Sequence, residues 1–219
     1  MQHVRAVVFD AYGTLLDIHA AMGRYAARLG PNWQQISADW RMKQLEYSWV
    51  RSLAGPGHHR DFWHLTEEAL VWAASRHGIH DAQLLAEILM AYRHLDAYPE
   101  VPVVLRLLRD KGLERAILSN AEPGMLRDAV HTAGLTDLLN AVLSVESVGV
   151  FKPDPRVYRL AGRLRAVSIM SSSSMEAAIR PAVIIIPTTP SARIGREPRK
   201  PSRADRTQPA GRSGSPRLS

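Results

Sequence analysis

The 219-residue sequence predicts an α/β fold: a parallel sheet with a helical segment inserted after its first strand. Three observations carry this. A short apolar run at residues 4–10, Val-Arg-Ala-Val-Val-Phe-Asp, ends in a carboxylate followed by a Gly-containing turn. Residues 17–98 are then largely helical in pattern. From Pro99 onward, strand-like and helix-like segments alternate at the lengths of βα units, which implies parallel strands joined by right-handed crossovers.

Each element follows from its residues. Residues 4–10 are rich in β-branched and apolar side chains, as a buried strand requires, and Asp10 leads straight into Ala11-Tyr12-Gly13-Thr14. Trp40, Leu45, Trp49, Val50 and Leu53 fall on one stripe of a helix. Gly55-Pro56-Gly57-His58-His59 breaks it, and helices follow at about 61–77 and 81–95. Pro99 and Pro102 mark the return of the chain to the sheet. A helix at about 100–111 ends at Gly112, and a strand, Arg115 to Asn120, comes next. A helix at about 123–133 ends at Gly134 and precedes a strand from Ala141 to Ser147. The loop Val-Gly-Val-Phe-Lys-Pro-Asp-Pro (148–155) leads into a helix starting near Asp154. In such sheets ligands bind beyond the carboxyl ends of the strands. Asp10, Ser119 with Asn120, and Lys152 are therefore expected to meet at one edge.

Composition narrows the function classes. The chain has no cysteine, which excludes a thiolate nucleophile, a disulfide framework and a zinc–cysteine site. The net charge of +7 tempts a nucleic-acid reading, but residues 1–162 carry a net −1 and residues 163–219 a net +8. That basic tail holds no aromatic residue to stack on a base, so no specific nucleic-acid partner is expected. The apolar N-terminal run is interrupted by Arg5 and Asp10, unlike a signal peptide. No segment approaches the roughly 20 apolar residues of a membrane span. The expectation is a cytoplasmic protein without a membrane partner. The nine histidines form no metal-ligand pattern, and neither a metal nor another cofactor is expected.

A carboxylate at a strand end can be a covalent nucleophile, and the tight turn after it can aim amides at an anion. The same Asp10 read alone is equally a strand-terminating turn cap. The company it keeps decides between the two. Asp10-Ala11-Tyr12-Gly13-Thr14-Leu15, with Ser119-Asn120 and Lys152-Pro153, resembles the haloacid dehalogenase (HAD) superfamily. Residues 40–53, WRMKQLEYSWVRSL, 61–70, DFWHLTEEAL, 115–126, RAILSNAEPGML, and 151–161, FKPDPRVYRLA, resemble its type II 2-haloacid dehalogenases. The likeness covers roughly residues 4–162. It implies a Rossmann-like core at 1–16 and 97–165, a helical cap at 17–96, and dimerisation through the cap helices.

The resemblance also implies roles. Asp10 would displace halide from C2 of an L-2-haloacid and form an ester, whose hydrolysis gives the D-2-hydroxyacid. Arg41 and Asn120 would receive the halide; Tyr12, Leu45 and Phe62 would line the substrate pocket. Ser119 and turn amides near Tyr12 would hold the substrate carboxylate. Thr14 would orient Asp10, Lys152 would offset its charge, and Tyr158 would support Lys152. Tyr12 stands where the superfamily's phosphatases carry a second aspartate, which protonates a leaving alkoxide. A halide leaves without a proton, so Tyr12 favours carbon–halogen chemistry. Met42, where relatives often carry glutamine, is a departure. A phosphatase of the same superfamily and an inactive HAD-like protein are the alternatives.

The likeness fails after about residue 165. The expected fourth strand and its water-positioning motif are replaced by Ile-Met-Ser-Ser-Ser-Ser-Met-Glu-Ala-Ala-Ile (169–179), in which Ser173 and Glu176 fall nearest the motif's Asn and Asp. The tail at 166–219 is rich in Ser, Pro and Arg, and disorder is its default from Pro187 onward. Its one apolar run, Ala182 to Ile186, has strand character. Either the C-terminal part of the core has been replaced, as by a reading-frame shift, or Glu176 serves in a variant motif.

Overall fold

The structure is a computed structural model, and it describes residues 3–163 and 183–188. Among the described residues, the sheet has four strands in the order β3-β2-β1-β4, with β1 His3–Phe9, β2 Glu114–Ser119, β3 Ala141–Ser144 and β4 Val183–Thr188. β1, β2 and β3 are parallel, with Phe9 opposite Ile117 and Ser119 opposite Ser144. Ala6 to Phe9 and Arg115 to Ser119 are buried on both faces, which is why these runs do not alternate in polarity.

Between β1 and β2 lie α1 Ala20–Gly23, α2 Ala26–Leu29, α3 Trp33–Ala54, α4 Phe62–Arg76, α5 Ala82–Ala91 and α6 Val101–Asp110. Asp61 and Asp81 cap α4 and α5, each side chain accepting from the backbone N–H three residues on, as expected at an N-cap. The ends of the helical segment are pinned together at its base. Asp17 N–H donates to Asp96 O at 2.9 Å and Tyr98 N–H to Leu15 O at 3.0 Å. After β2, α7 Pro123–Thr132 starts on a Glu122 cap that accepts from Gly124 and Met125 N–H. α8 Pro155–Tyr158 follows β3 and a loop. Among the described residues, no helix is long and apolar enough to cross a membrane.

Four expectations are corrected. The buried stripe of α3 is Ile36, Trp40, Gln44 and Ser48, spaced by four; Trp49, Val50 and Leu53 are exposed. The apolar count misplaced the face because buried hydrogen-bonding partners accept a Gln and a Ser at two of its positions. The third strand stops at Ser144, three residues early, because Ser144 Oγ accepts from Glu146 N–H and turns the chain into a 3₁₀ turn at Val145–Ser147. The helix expected from Asp154 is a single turn, followed by a 3₁₀ turn at Ala161–Arg163. The apolar run with strand character becomes β4, antiparallel to β1, but the strand continues through Pro187 and Thr188, where disorder was the default. Pro187 is tolerated because it sits at an edge, opposite Val4, beside a register shift between Val4 and Ala6.

Candidate active site

Asp10 follows the last residue of β1, and the turn after it is wound tightly on Ala11, whose carbonyl accepts from the N–H groups of Thr14, Leu15 and Leu16. Gly13 N–H donates to Leu16 O at 2.9 Å, and Gly13 adopts φ +87°, a left-handed value that a side chain would strain. These bonds engage the amides of Gly13 to Leu16. Thr14 sits in this turn, half-buried.

Lys152 lies eight residues beyond the end of β3 in sequence, so the sheet alone does not deliver it. The loop is drawn back by three contacts. Phe151 is fully buried, edge-on to Phe62 at 5.8 Å and against the His59 ring at 4.8 Å. Its N–H donates to Ser52 Oγ at 3.0 Å. Lys152 N–H donates to Asn120 Oδ1 at 2.9 Å. The ammonium then donates to Asp10 Oδ1 at 2.8 Å, with both side chains about 20% exposed. One carboxylate oxygen is thus fixed while Asp10 faces a cavity.

That cavity has a volume of about 690 Å³. Of the sequence-predicted residues, Asp10, Tyr12, Arg41, Leu45, Phe62, Ser119, Asn120 and Lys152 line it together. Ser119 is buried, and its Oγ accepts from Ala121 N–H at 3.1 Å. Ser144 Oγ donates to Ala121 O at 2.7 Å, tying the end of β3 to the same turn. Arg41, on α3, reaches across to the sheet: Nη2 donates to the Tyr12 carbonyl at 3.1 Å and Nη1 to Gln44 Oε1 at 3.3 Å. Its cation therefore faces the same cavity as the Asp10 carboxylate.

Tyr12 itself is almost fully buried, stacked on Tyr92 at 5.4 Å, with its hydroxyl 3.4 Å from Met125 O. Burial pushes its phenol well above the ordinary range, with the neighbouring Tyr92 second. The residue therefore offers a wall and a backbone carbonyl rather than an acid. Tyr158 is half-buried on α8; burial first and the Asp10 charge second raise its phenol. No hydrogen bond joins it to Lys152 among the described residues. Asn120 and the packing of Phe151 hold that loop. Ser173 and Glu176 lie outside the described residues.

Sequence reading missed Trp49, Ser52, Leu53 and Phe151 as cavity residues, and Gln44, Thr66 and Tyr92 behind Arg41. The four-residue spacing of Ile36, Trp40, Gln44 and Ser48 was the available signal for Gln44. Among the described residues, no group of three or more His, Asp or Glu is placed to hold a metal ion.

Comparison with known proteins adds the family context. The profile of the haloacid dehalogenase-like hydrolases matches residues 4–164. (S)-2-haloacid dehalogenase 1 of Pseudomonas sp. (strain CBS-3) is 44% identical over 162 residues, covering 74% of this chain and 70% of that protein. (S)-2-haloacid dehalogenase 4A of Burkholderia cepacia is 43% identical, over 72% of this chain and 68% of its own. The structure of L-2-haloacid dehalogenase from Xanthobacter autotrophicus with chloropropionic acid covalently bound superposes with a TM-score of 0.68 at 41% identity, over 76% of this chain and 66% of that one.

Proposed function

The chain belongs to the haloacid dehalogenase-like hydrolase family, and from that premise we propose that it removes halide from short-chain L-2-haloacids through an ester on Asp10, yielding D-2-hydroxyacids. One observation carries the reading: a carboxylate held by one oxygen and a cation anchored on a neutral carbonyl line the same cavity, with a tyrosine in place of an acid.

The charge movement explains the arrangement. An Asp10 oxygen attacks C2 of the substrate from the side opposite the halogen. As the C–O bond forms and the carbon–halogen bond breaks, one negative charge passes from Asp10 to the halide. Lys152, at 2.8 Å from Asp10, favours the charge at its origin and so works against that transfer. Its contribution is to aim the nucleophile. Arg41 and the amide of Asn120, on the receiving side, stabilise charge that appears only as the bond breaks, which is the interaction that accelerates the step. Asn120 already accepts from the Lys152 backbone through Oδ1, so its NH₂ is the group able to donate to halide. Burial makes the Tyr12 phenol a still weaker acid, which holds its proton at ordinary pH, and a halide needs none.

Water then attacks the Asp10 carbonyl carbon. The oxygen that came from Asp10 stays on the product, and the carboxylate is restored with an oxygen from water. The helical segment at residues 17–96 acts as the cap, because Arg41, Leu45 and Phe62 close the cavity from that side. The residues aligned with the water-positioning motif, Ser173 and Glu176, would serve this second step.

The test is halide released from L-2-chloropropionate per mole of protein, at high protein concentration. Many equivalents mean that both steps run. One equivalent, with a 1-carboxyethyl mass increment on the Asp10 peptide, means that the first step runs alone. No release from a folded sample removes the dehalogenase reading.

A further inference from the structure

We propose that Gln44 is a positioning residue for halide departure: it holds the Arg41 guanidinium against the cavity, and Thr66 in turn holds Gln44. The inference rests on the reading above, in which Arg41 receives the halide.

The observation is a continuous chain of hydrogen bonds behind Arg41. Thr66 Oγ1 donates to Phe62 O at 2.7 Å and accepts from Gln44 Nε2 at 3.1 Å. Gln44 Oε1 accepts from the Tyr92 hydroxyl and from Arg41 Nη1, each at 3.3 Å. Arg41 Nη2 completes the chain on Tyr12 O at 3.1 Å. Gln44 and Thr66 are fully buried and Tyr92 nearly so. The amide has one workable orientation, because turning it over would set its NH₂ against the donors of Arg41 and Tyr92. Burial raises the Tyr92 phenol, which keeps that hydroxyl a donor.

The chemistry of the residue matters as much as its place. Gln44 accepts from the guanidinium without cancelling its charge, whereas a glutamate there would pair with it and weaken its pull on an anion. With one terminal nitrogen held by Gln44 and the other by Tyr12, the guanidinium plane is fixed before the halide forms. No reorganisation is then needed as charge develops. The chain also starts at Phe62, itself a wall of the cavity, so the wall and the cation are set by the same bonds.

The test compares Gln44→Met, Gln44→Glu, Thr66→Val and Thr66→Ser in the full chain, with thermal melts to verify folding. Single-turnover halide release is followed from 2-chloro- and 2-bromopropionate. Chloride is the poorer leaving group and depends more on stabilisation of its developing charge. Gln44→Met is expected to slow chloride release by about 30-fold and bromide release by only about 5-fold. Thr66→Val should show the same bias more weakly, and Thr66→Ser, which keeps the hydroxyl, should recover most of the loss. Equal slowing for both halides in folded variants, or none, overturns the role. Chloride alone, read by its NMR line broadening on the protein, separates this inference from the reaction. Broadening that disappears in Gln44→Met and Gln44→Glu while the unaltered protein releases no halide keeps the positioning role and removes the dehalogenase reading. Broadening unchanged in both variants overturns the positioning role, and an unaltered protein with neither broadening nor release overturns both.

Discussion

Replacing Arg41 by methionine keeps most of the side-chain volume and removes the cation from the cavity. The magnitude follows from its setting. Arg41 is partly buried, and its charge is uncompensated by its two anchors, a carbonyl and an amide. Unit charges about 4 Å apart at an effective dielectric of about 20 attract by about 4 kcal/mol, so about half a charge on the departing halide gains about 2 kcal/mol. A hydrogen bond from a charged donor adds about 1.5 kcal/mol. The sum, about 3 to 4 kcal/mol, corresponds to roughly 150- to 900-fold slower halide release. Arg41→Lys keeps the charge but cannot span both the Tyr12 carbonyl and Gln44, and should lose about tenfold. The assay is single-turnover release of chloride from L-2-chloropropionate, which reads the first step whether or not the ester hydrolyses. Release by Arg41→Met within threefold of the unaltered chain would refute the assignment of Arg41 as the halide acceptor.

Asp10→Asn should abolish halide release and leave the Asp10 peptide unmodified by mass; release that persists assigns the nucleophile elsewhere. Trp40→Ala should cost about 4 kcal/mol in chemical denaturation, because the ring is buried, tilted on Tyr92 at 4.6 Å, and its Nε1 donates to Thr66 O at 2.9 Å. A loss below about 1 kcal/mol would contradict that packing. Asp39 is held below the ordinary carboxylate range, first by the hydrogen bond from His77 at 2.8 Å. Its contribution to stability is therefore complete above about pH 4 and fades as the pH falls through its lowered value. Asp39→Asn should flatten the dependence of stability on pH in that acid range, measured by denaturation at stepped pH, and an unchanged slope would show that Asp39 is not the source. Asp154, lowered to about 2 chiefly by the hydrogen bond from Arg156, and Asp81, lowered first by the hydrogen bond from Leu84 N–H, fade in the same direction and add to that slope.

Much of the site was legible because its residues occupy positions that a linear pattern marks. Asp10 and Ser119-Asn120 fall at strand ends, and a parallel sheet brings such ends together whatever the side chains do. Arg41, Leu45 and Phe62 entered through the likeness of their segments to known sequences, and the cavity unites them with Asp10. The supporting shell was not legible in the same way. Gln44 lies on α3, Thr66 on α4 and Tyr92 just past the end of α5, and nothing in their spacing relates one to another. Their partnership exists only because α3 and α4 pack closely enough for Gln44 to reach Thr66. Lys152 shows both conditions at once: the motif marks it, yet its loop returns to Asp10 only through Phe151, Ser52 and Asn120.

Local chemistry by itself determined the apolar strand segments, the caps at Asp61 and Asp81, the break at Gly55 to His59, and the carboxylate at the end of β1. Each depends on residues within a turn or two of one another, where backbone preference and hydrogen-bonding reach decide the outcome. The tertiary structure decided which face of α3 is buried, where the third strand stops, and that β4 pairs antiparallel with β1. It also decided that a cation from the helical segment and a carboxylate from the sheet share one cavity. Those outcomes turn on contacts between residues far apart in sequence. Apolar count could not rank Gln44 above Trp49 for burial, because a buried amide is favourable only once Thr66, Tyr92 and Arg41 are there to satisfy it.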